Sequence, residues 1–329
     1  MCMLTKSLYN LCLLISTPYE NLNLFSNKIY DLDSNILEQI YLEKLFNFKW
    51  RKKLNSSFSN FKFDYSYDIL AQNSNFIKLK LNLKIYFKVQ NSPNTIISAY
   101  IHEYIVILEH LHNNFKMQSL IEYEENPLLY NYALKTDLSH IDNLIFSKNQ
   151  SLWTNKLSSI DLLHEIFMTS GFFGNNNYNE RNESNFNITE ACNYAETFAL
   201  KSNPKYKSFE GIGGDCTNFI SQILYAGGVK QTKAWMPYTN PWVRVEDLYL
   251  YLTTQKLATK LPNENSLSKG CLIQFYTPQI GRFFHNGFIS YKLPNNDYLY
   301  CCHSYNKLNY PLSETFPNRY PTLRALIIN

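Results

Sequence analysis

The feature that most constrains the fold is a strict alternation of apolar and polar residues between Ile77 and Val89. Apolar side chains occupy every second position of this run: Ile77, Leu79, Leu81, Leu83, Ile85, Phe87 and Val89. Because successive side chains of a β-strand point to opposite faces of the sheet, the pattern predicts a strand with one buried face. Residues 61–69 alternate in the same way before a polar turn at residues 72–75, and they predict a second strand.

Further elements around these two strands predict an α+β fold. They are a helix over residues 33–50 with Asp33 or Ser34 as its N-cap, a turn at residues 91–94, and strands over residues 96–108 and 115–123. A helix followed by a curved antiparallel meander predicts a domain over residues 31–125 with the helix in the concavity of the sheet, because each must bury an apolar face. The hairpin from Glu109 to Tyr123 resembles the end of cone-shaped, nuclear-transport-factor-like domains.

The chain is long enough for two domains, with 329 residues of which 45% are hydrophobic. We expect an N-terminal segment over residues 1–30, the α+β domain over 31–125, a helical connector over 126–175 and a second domain over 176–329. Polar residues 175–185 form the entry to that second domain. The net charge of +4 is spread along the chain without a concentrated basic face, which argues against nucleic acid as a partner.

The cysteines indicate a reduced compartment. There are seven, an odd number, and Cys301 and Cys302 are adjacent, which does not fit a secreted disulfide framework. We therefore expect a cytoplasmic protein. The apolar run from Leu11 to Ile15 behind Lys6 is short and weakly charged for a signal peptide, and secretion through it is the alternative. No segment approaches the length of a membrane span, so no integral membrane segment is expected.

The glycines point to one candidate site in the second domain. Only 10 glycines occur and none precedes Gly171, yet three of them (Gly211, Gly213 and Gly214) come just before Asp215 and Cys216. An amphipathic helix follows, so Cys216 lies at a helix N-terminus, where unpaired N–H groups and the helix dipole favour a thiolate. We predict that Cys216 is a nucleophile, that Gly213 and Gly214 leave room for a substrate carbonyl, and that Asp215 caps the helix.

Histidine partners for a thiol come from the strands that follow. Only His285 and His303 lie beyond Cys216, in predicted strands over residues 285–291 and 298–303. If these strands are antiparallel neighbours, His285 can act as general base and acid while His303 orients it. Strands over residues 271–276 and 323–328, and a capped helix opening at Asn187, complete the predicted α+β domain.

The stretch from Trp235 to Trp242 is aromatic and rich in proline. Its rings either cover the edge of the core or form the wall of a binding cleft, in which case Trp235, Tyr238 and Trp242 would contact the substrate. The sequence leaves both interpretations open.

These residues resemble the bacterial putative amidase domain over about residues 176–329. The resemblance is carried by the Gly-Gly-Asp-Cys-Thr-Asn-Phe core at 213–219, by Ala-Gly-Gly at 226–228, by Trp-Val-Arg-Val at 242–245, by His-Ser at 303–304 and by Pro-Leu-Ser at 311–313. That family belongs with papain-like cysteine peptidases and amidases, which include cell-wall hydrolases. The resemblance implies a papain-like fold, Cys216 as nucleophile, His285 as base, His303 as third polar member, and neither a metal nor an organic cofactor.

The resemblance also implies a peptide or amide substrate, with peptidoglycan peptides suggested by analogy alone. The sequence departs from the family pattern at Cys271, which follows Gly270 where aspartate is usual, and at Asn286, which follows His285 where serine is common. Since Asn286 lies beside the predicted base, we expect it to contact the substrate and to affect substrate preference.

Two other function classes compete with an enzyme of this kind. One is a non-catalytic peptide- or glycan-binding module that keeps the cleft without turnover. The other is a metal site, either zinc on Cys301, Cys302, His303 and His285 or a metal on His102, His110 and His112. The metal interpretation is the weaker one, because adjacent cysteines are poorly spaced for chelation and the three histidines fit ordinary strand positions.

Overall fold

A computed structural model describes residues 3–25, 34–111, 114–143, 150–174, 185–263 and 265–329. These residues form two compact units, one from residues 1–90 and 101–161 and the other from residues 91–100 and 162–329. Both combine helices with antiparallel strands, so the predicted α+β class is confirmed. The predicted connector is divided between the two units at residue 161, and the turn at residues 91–94 groups with the second unit.

The first unit contains the predicted meander. Its elements are α1 (Met3–Ser16), a 3₁₀ turn (Tyr19–Phe25), α2 (Ser34–Lys53), β1 (Phe58–Gln72), β2 (Phe76–Val89), most of β3 (Ser98–Leu111), β4 (Asn114–Glu122), α3 (Pro127–Lys135), a 3₁₀ turn (Leu138–Asn143), α4 (Gln150–Ser158) and the start of α5 (Ile160–Thr169). Strands β1 to β4 are hydrogen-bonded neighbours in sequence order. The predicted N-cap Asp33 and the histidine His112 lie outside the described residues.

The alternating run identified above becomes β2, and its apolar residues are buried as predicted. Along the N-terminal segment the structure adds a helix that the sequence analysis did not predict. In α1, Leu4, Leu8 and Leu11 recur at helical spacing and are buried. The Tyr9 ring lies 5.6 Å from the Phe63 ring of β1, so α1 packs on the sheet. None of the helices in the described ranges is both long and apolar enough to cross a membrane.

The second unit contains the region predicted to carry the site. Its further elements are a 3₁₀ turn (Gly171–Phe173), α6 (Ile188–Phe198), α7 (Cys216–Ala226), α8 (Asn240–Val243), α9 (Val245–Thr254), β5 (Ala258–Leu261), β6 (Leu272–Thr277), β7 (Arg282–Lys292), β8 (Tyr298–Cys302), β9 (Lys307–Pro311), a 3₁₀ turn (Leu312–Glu314) and β10 (Thr322–Ile328). The strands lie in the order β9-β8-β7-β6-β10-β5, and each neighbouring pair is antiparallel. Strands β5 and β9 are additional to those predicted.

The core of this unit lies between the sheet and three helices. Residues of α6, α7 and α9 pack against Leu272, Phe288, Cys301 and Leu326 of the sheet. Helix α7 is nearly surrounded, because its residues from Cys216 to Leu224 are all buried. The six cysteines within the described ranges form no disulfide with one another.

Candidate active site

The glycine loop and α7 fix the position of Cys216. Gly211, Gly213 and Gly214 have φ of +78°, +127° and +101°, a region that side chains other than glycine rarely adopt. The loop is followed by Asp215 and then by Cys216, which is the first residue of α7. Because the first N–H groups of a helix have no acceptor inside it, the Cys216 N–H points out of the helix end.

The Cys216 thiol is buried, with 7% of the residue exposed. Its Sγ lies 3.8 Å from Thr217 Oγ1 and 4.0 Å from the carbonyl oxygen of Phe284 in β7. Burial raises the pKa of the thiol, while hydrogen bonds from the Asn286 backbone and from Thr217 oppose the rise and the Asp215 charge adds slightly to it. Burial, the largest cause of the shift, therefore opposes the thiolate that we expect at the helix N-terminus.

The Cys216 sulfur lies against β7, the strand that carries His285. The sulfur contacts the backbone of Phe284 and Asn286, the two residues that flank His285 in sequence. His285 pairs across the sheet with Phe275, is 2% exposed, and has its ring 5.4 Å from the Tyr305 ring. The rings of Phe275, Phe284 and Tyr320 complete an aromatic surrounding at 5.6, 6.1 and 6.3 Å. The structure thus brings the Cys216 sulfur to the β7 backbone on either side of His285, and proton transfer between the two side chains stays a prediction.

His303 has other partners than the one predicted for it. Its Nδ1 lies 2.7 Å from Asp215 Oδ2 and its Nε2 lies 2.7 Å from the carbonyl oxygen of Phe198. The ring also stacks on Phe219 of α7, with a centroid separation of 3.9 Å and an interplanar angle of 5°. The structure therefore places His303 against α6 and α7, with both ring nitrogens facing oxygen acceptors.

The register of β7 and β8 explains why His303 does not orient His285. Strands β7 and β8 are antiparallel neighbours, as the prediction required, and pair Phe288 with Cys301. Continuing that register puts His303 opposite Asn286, one residue away from His285. Because adjacent residues of a strand point to opposite faces, the two histidines then project from different faces of the sheet.

Asp215 precedes α7, but its side chain does not cap the helix. Its carboxylate instead accepts hydrogen bonds from the Phe209 N–H at 2.9 Å and from Asn218 Nδ2 at 2.8 Å, in addition to facing His303. The prediction of a capping role for this side chain is corrected, because the buried carboxylate is used to join the glycine loop, α7 and His303. Asp215 is a site residue whose partner, 88 positions away, the sequence did not reveal.

Trp235 and Trp242, which the sequence placed either at the edge of the core or in a cleft wall, are core residues. Trp235 and Trp242 are both fully buried, and their ring centroids are 4.9 Å apart. Trp235 Nε1 donates to Ser221 Oγ at 3.3 Å and Trp242 Nε1 donates to Asn218 Oδ1 at 2.9 Å. Both indole N–H groups are therefore satisfied inside the core, which corrects their assignment to substrate binding.

Tyr238 differs from the two tryptophans, since 47% of it is exposed. Its hydroxyl accepts a hydrogen bond from the Lys207 N–H at 2.9 Å, and its ring meets Phe209 edge-on at 5.9 Å. The structure therefore places Tyr238 over the segment that leads into the glycine loop. It is the one aromatic residue of the predicted wall that a bound molecule can reach.

The remaining predicted site residues divide in the same way. A Cβ on Gly213 would meet nothing within 4 Å, which leaves open space beside the loop, whereas one on Gly214 would lie 3.1 Å from Ser304 Oγ. Asn286 is fully buried and its side chain bonds to Thr217 and Gln274. The expectation that Asn286 contacts substrate is corrected, because its amide is enclosed within the protein.

Metal sites receive no support from the described residues, which contain no cluster of three or more histidine, cysteine, aspartate or glutamate side chains. Cys301 Sγ lies 3.8 Å from Asn309 Oδ1 and His303 is held as described above. In the first unit, His102 Nδ1 lies 2.6 Å from Glu122 Oε1.

Comparison with known proteins shows that the region containing this site is similar to one family. Residues 185–326 match the family described as "Putative amidase domain". The match contains Cys216, His285 and His303, and it confirms the family resemblance predicted for this part of the chain. No solved structure matches the chain.

Two curated proteins that are similar to part of this chain come from Bacillus subtilis (strain 168). Uncharacterized protein YjcM is 30% identical over 154 residues, which cover 41% of this chain and 37% of the relative. Uncharacterized protein YhbB is 32% identical over 119 residues, which cover 32% of this chain and 37% of the relative. The chain therefore spans little more than a third of the length of each of these proteins.

Proposed function

We propose that the second unit hydrolyses C–N amide bonds through a thioester on Cys216. The observation that carries the proposal is the position of the sulfur, at the first residue of α7 and against the β7 backbone that flanks His285. A thiol at a helix end, with an imidazole beside it, is the arrangement that cysteine-dependent acyl transfer requires. The amidase-domain match over residues 185–326 supports the same reaction class.

In the proposed reaction, His285 takes the proton of Cys216 and the thiolate attacks the substrate carbonyl. The Cys216 N–H donates to the oxyanion, and the open space at Gly213 admits that oxygen. His285 then gives its proton to the leaving amine as the C–N bond breaks and the thioester forms. It next removes a proton from water, which attacks the thioester and releases the carboxylic acid and the thiol.

The proposed role of His303 follows from its partners. Together with Asp215 it joins the end of α6 to the start of α7, so it positions Cys216. The layout of a nucleophile helix on an antiparallel sheet fits a papain-like fold. We propose peptides as the substrate class, with peptidoglycan peptides as the first to test.

The test is detection of an acyl-enzyme. Intact-protein mass spectrometry with a panel of peptidoglycan peptides should show a covalent acyl adduct on the wild type and none on Cys216→Ala. Cys192→Ala is the matched control, because Cys192 is a buried cysteine of α6 whose Sγ lies 3.8 Å from a backbone oxygen, that of Ser290. Hydrolysis that persists in Cys216→Ala would refute the proposal.

The non-catalytic binding module gives a different result in the same experiment. The exposed Tyr238 is the observation that favours it, since an accessible aromatic ring beside the loop can hold a ligand without turnover. A binder would retain affinity for the peptide in Cys216→Ala and lose it in Tyr238→Ala. An amidase would lose turnover in Cys216→Ala.

A further inference from the structure

A chain of buried polar side chains runs across the sheet toward Cys216. It begins at Arg324 of β10, which pairs with Gln274 of β6. The guanidinium lies between the rings of Tyr249 and Phe283, 3.8 and 3.9 Å from their centroids. Arg324 Nη2 donates to Glu246 Oε2 at 2.8 Å, and its Nε donates to Gln274 Oε1 at 2.6 Å.

The ends of this chain fix the direction of every hydrogen bond within it. A guanidinium only donates, so the Gln274 atom that faces Arg324 is the carbonyl oxygen. A backbone carbonyl only accepts, and Val245 O lies 3.1 Å from the other atom, which is therefore the amide nitrogen. The two constraints are independent and agree.

The same logic passes to the next side chain. Gln274 Nε2 also donates to Asn286 Oδ1 at 2.7 Å, so the Asn286 amide nitrogen faces the other way. It donates to Thr217 Oγ1 at 2.9 Å. Because the Thr217 oxygen accepts that hydrogen, its own hydroxyl hydrogen remains to be donated, and Cys216 Sγ lies 3.8 Å away.

We propose that Arg324, Gln274, Asn286 and Thr217 form a directed donor chain that turns the Thr217 hydroxyl toward Cys216 Sγ and stabilises the thiolate. All four are positioning residues in this proposal, and none of them contacts substrate. Asn286 contributes twice, since its backbone N–H also donates to the sulfur. The inference rests on Cys216 as the nucleophile of the proposed amidase reaction.

The donor chain addresses a problem that the site itself creates. Burial disfavours a charged sulfur, and the neighbouring Asp215 carboxylate disfavours it further. Other titratable groups near the site are His285 on β7, whose ring lies 5.4 Å from the Tyr305 ring and 6.3 Å from the Tyr320 ring, and His303, which is paired with Asp215. A fixed row of dipoles with its hydrogen ends toward the sulfur opposes the desolvation without placing another full charge beside the thiol.

The experiment measures thiol ionisation and needs no substrate. The rate of iodoacetamide modification of Cys216, followed by peptide mass spectrometry from about pH 6 to 11, gives a midpoint that reports ionisation and a plateau that reports access. Thr217→Val removes the hydroxyl and keeps the shape, whereas Thr217→Ser keeps the hydroxyl as the matched control. Gln274→Met interrupts the chain two side chains away from the sulfur.

We expect Thr217→Val to raise the midpoint by about 0.5–1 pH unit, which slows modification at pH 7.5 by about three- to tenfold. Gln274→Met should raise it in the same direction by less, and Thr217→Ser should leave it unchanged. An unmoved midpoint in Thr217→Val or Gln274→Met, or a change in the plateau alone, would overturn the inference.

Failure of the proposed function would look different. Absence of an acyl adduct together with the expected midpoint shifts would leave the donor chain standing and remove the amidase. An acyl adduct together with unmoved midpoints would do the reverse. Near-ultraviolet circular dichroism of each variant verifies that the second unit remains folded.

Discussion

The turn between β7 and β8, the strands that carry or precede the two candidate histidines, contains a buried carboxylate whose protonation should affect stability. Asp297 is only 5% exposed, and burial raises its pKa from the ordinary value of 3.8 to about 6. Its Oδ1 accepts from the N–H groups of Tyr298 at 2.7 Å and Ser313 at 3.2 Å, and its Oδ2 accepts from Ser313 Oγ at 2.6 Å. These bonds only partly compensate the buried charge.

The sign and size of the effect follow from linkage. Because the pKa of Asp297 is raised in the folded state, the stability that the protonated carboxyl contributes is fully present below pH 3.8. This contribution is lost as the pH rises through about 6. At 1.36 kcal/mol for each pH unit, the total loss is about 3 kcal/mol, of which about 2 kcal/mol falls between pH 4.5 and 7.5. Asp297→Asn removes the charge and keeps an oxygen for both N–H groups. We therefore expect the free energy of unfolding of Asp297→Asn, relative to that of the wild type, to rise by about 2 kcal/mol from pH 4.5 to pH 7.5.

Hydrogen exchange provides the assay. Exchange of peptides spanning residues 297–313, measured against urea at both pH values, gives a free energy of unfolding for this part of the second unit alone. As a second variant, Ser313→Ala removes a hydrogen bond to the carboxylate and should enlarge the loss of stability at pH 7.5 by about 1 kcal/mol. An Asp297→Asn effect of the same size at both pH values would refute the reasoning.

Two more predictions concern the ends of α7. Gly227→Ala would place a Cβ 2.1 Å from the Phe186 ring, and we expect it to destabilise the second unit by about 1–3 kcal/mol in urea unfolding. Phe186→Leu should restore part of the loss. An unchanged unfolding midpoint in Gly227→Ala would contradict the packing described. Asp215→Ala leaves His303 without its buried carboxylate and should cost about 3–5 kcal/mol in the same assay. In a His303→Phe background the Asp215→Ala cost should be much smaller, and equal costs in both backgrounds would show that the two residues are not coupled.

Local patterns predicted most of the elements, because the residues that specify them are adjacent in sequence. The alternation in β2 and the apolar face of α7 depend only on periodicity, and both elements are present as predicted. Strand β9 was missed, since its five residues alternate too briefly to be recognised. The likeness of the first unit to nuclear-transport-factor-like domains stays a prediction.

Sequence reasoning could name candidate site residues but not their geometry. It predicts that Cys216 and His285 act together, which stays a prediction, and it could not give the strand register that places His303 beside Asp215. It also could not distinguish a core tryptophan from one in a cleft, because Trp242 is satisfied by Asn218, a residue 24 positions earlier. The donor chain was invisible for the same reason, as Arg324 meets Gln274 only through strand pairing.

Residues 91–100, from the middle of the chain, belong to the second unit, and a fragment limited to the family-matched residues 185–326 would lack them. Ala99 and Tyr100 pair with Leu308 and Lys307 of β9, and Ser98 Oγ donates to the carbonyl oxygen of Asn309 at 2.6 Å. A fragment limited to residues 185–326 would lack this partner and would present the backbone of β9 as an open sheet edge. Open edges pair with other chains, so such a fragment should aggregate unless residues 91–100 are supplied as a peptide.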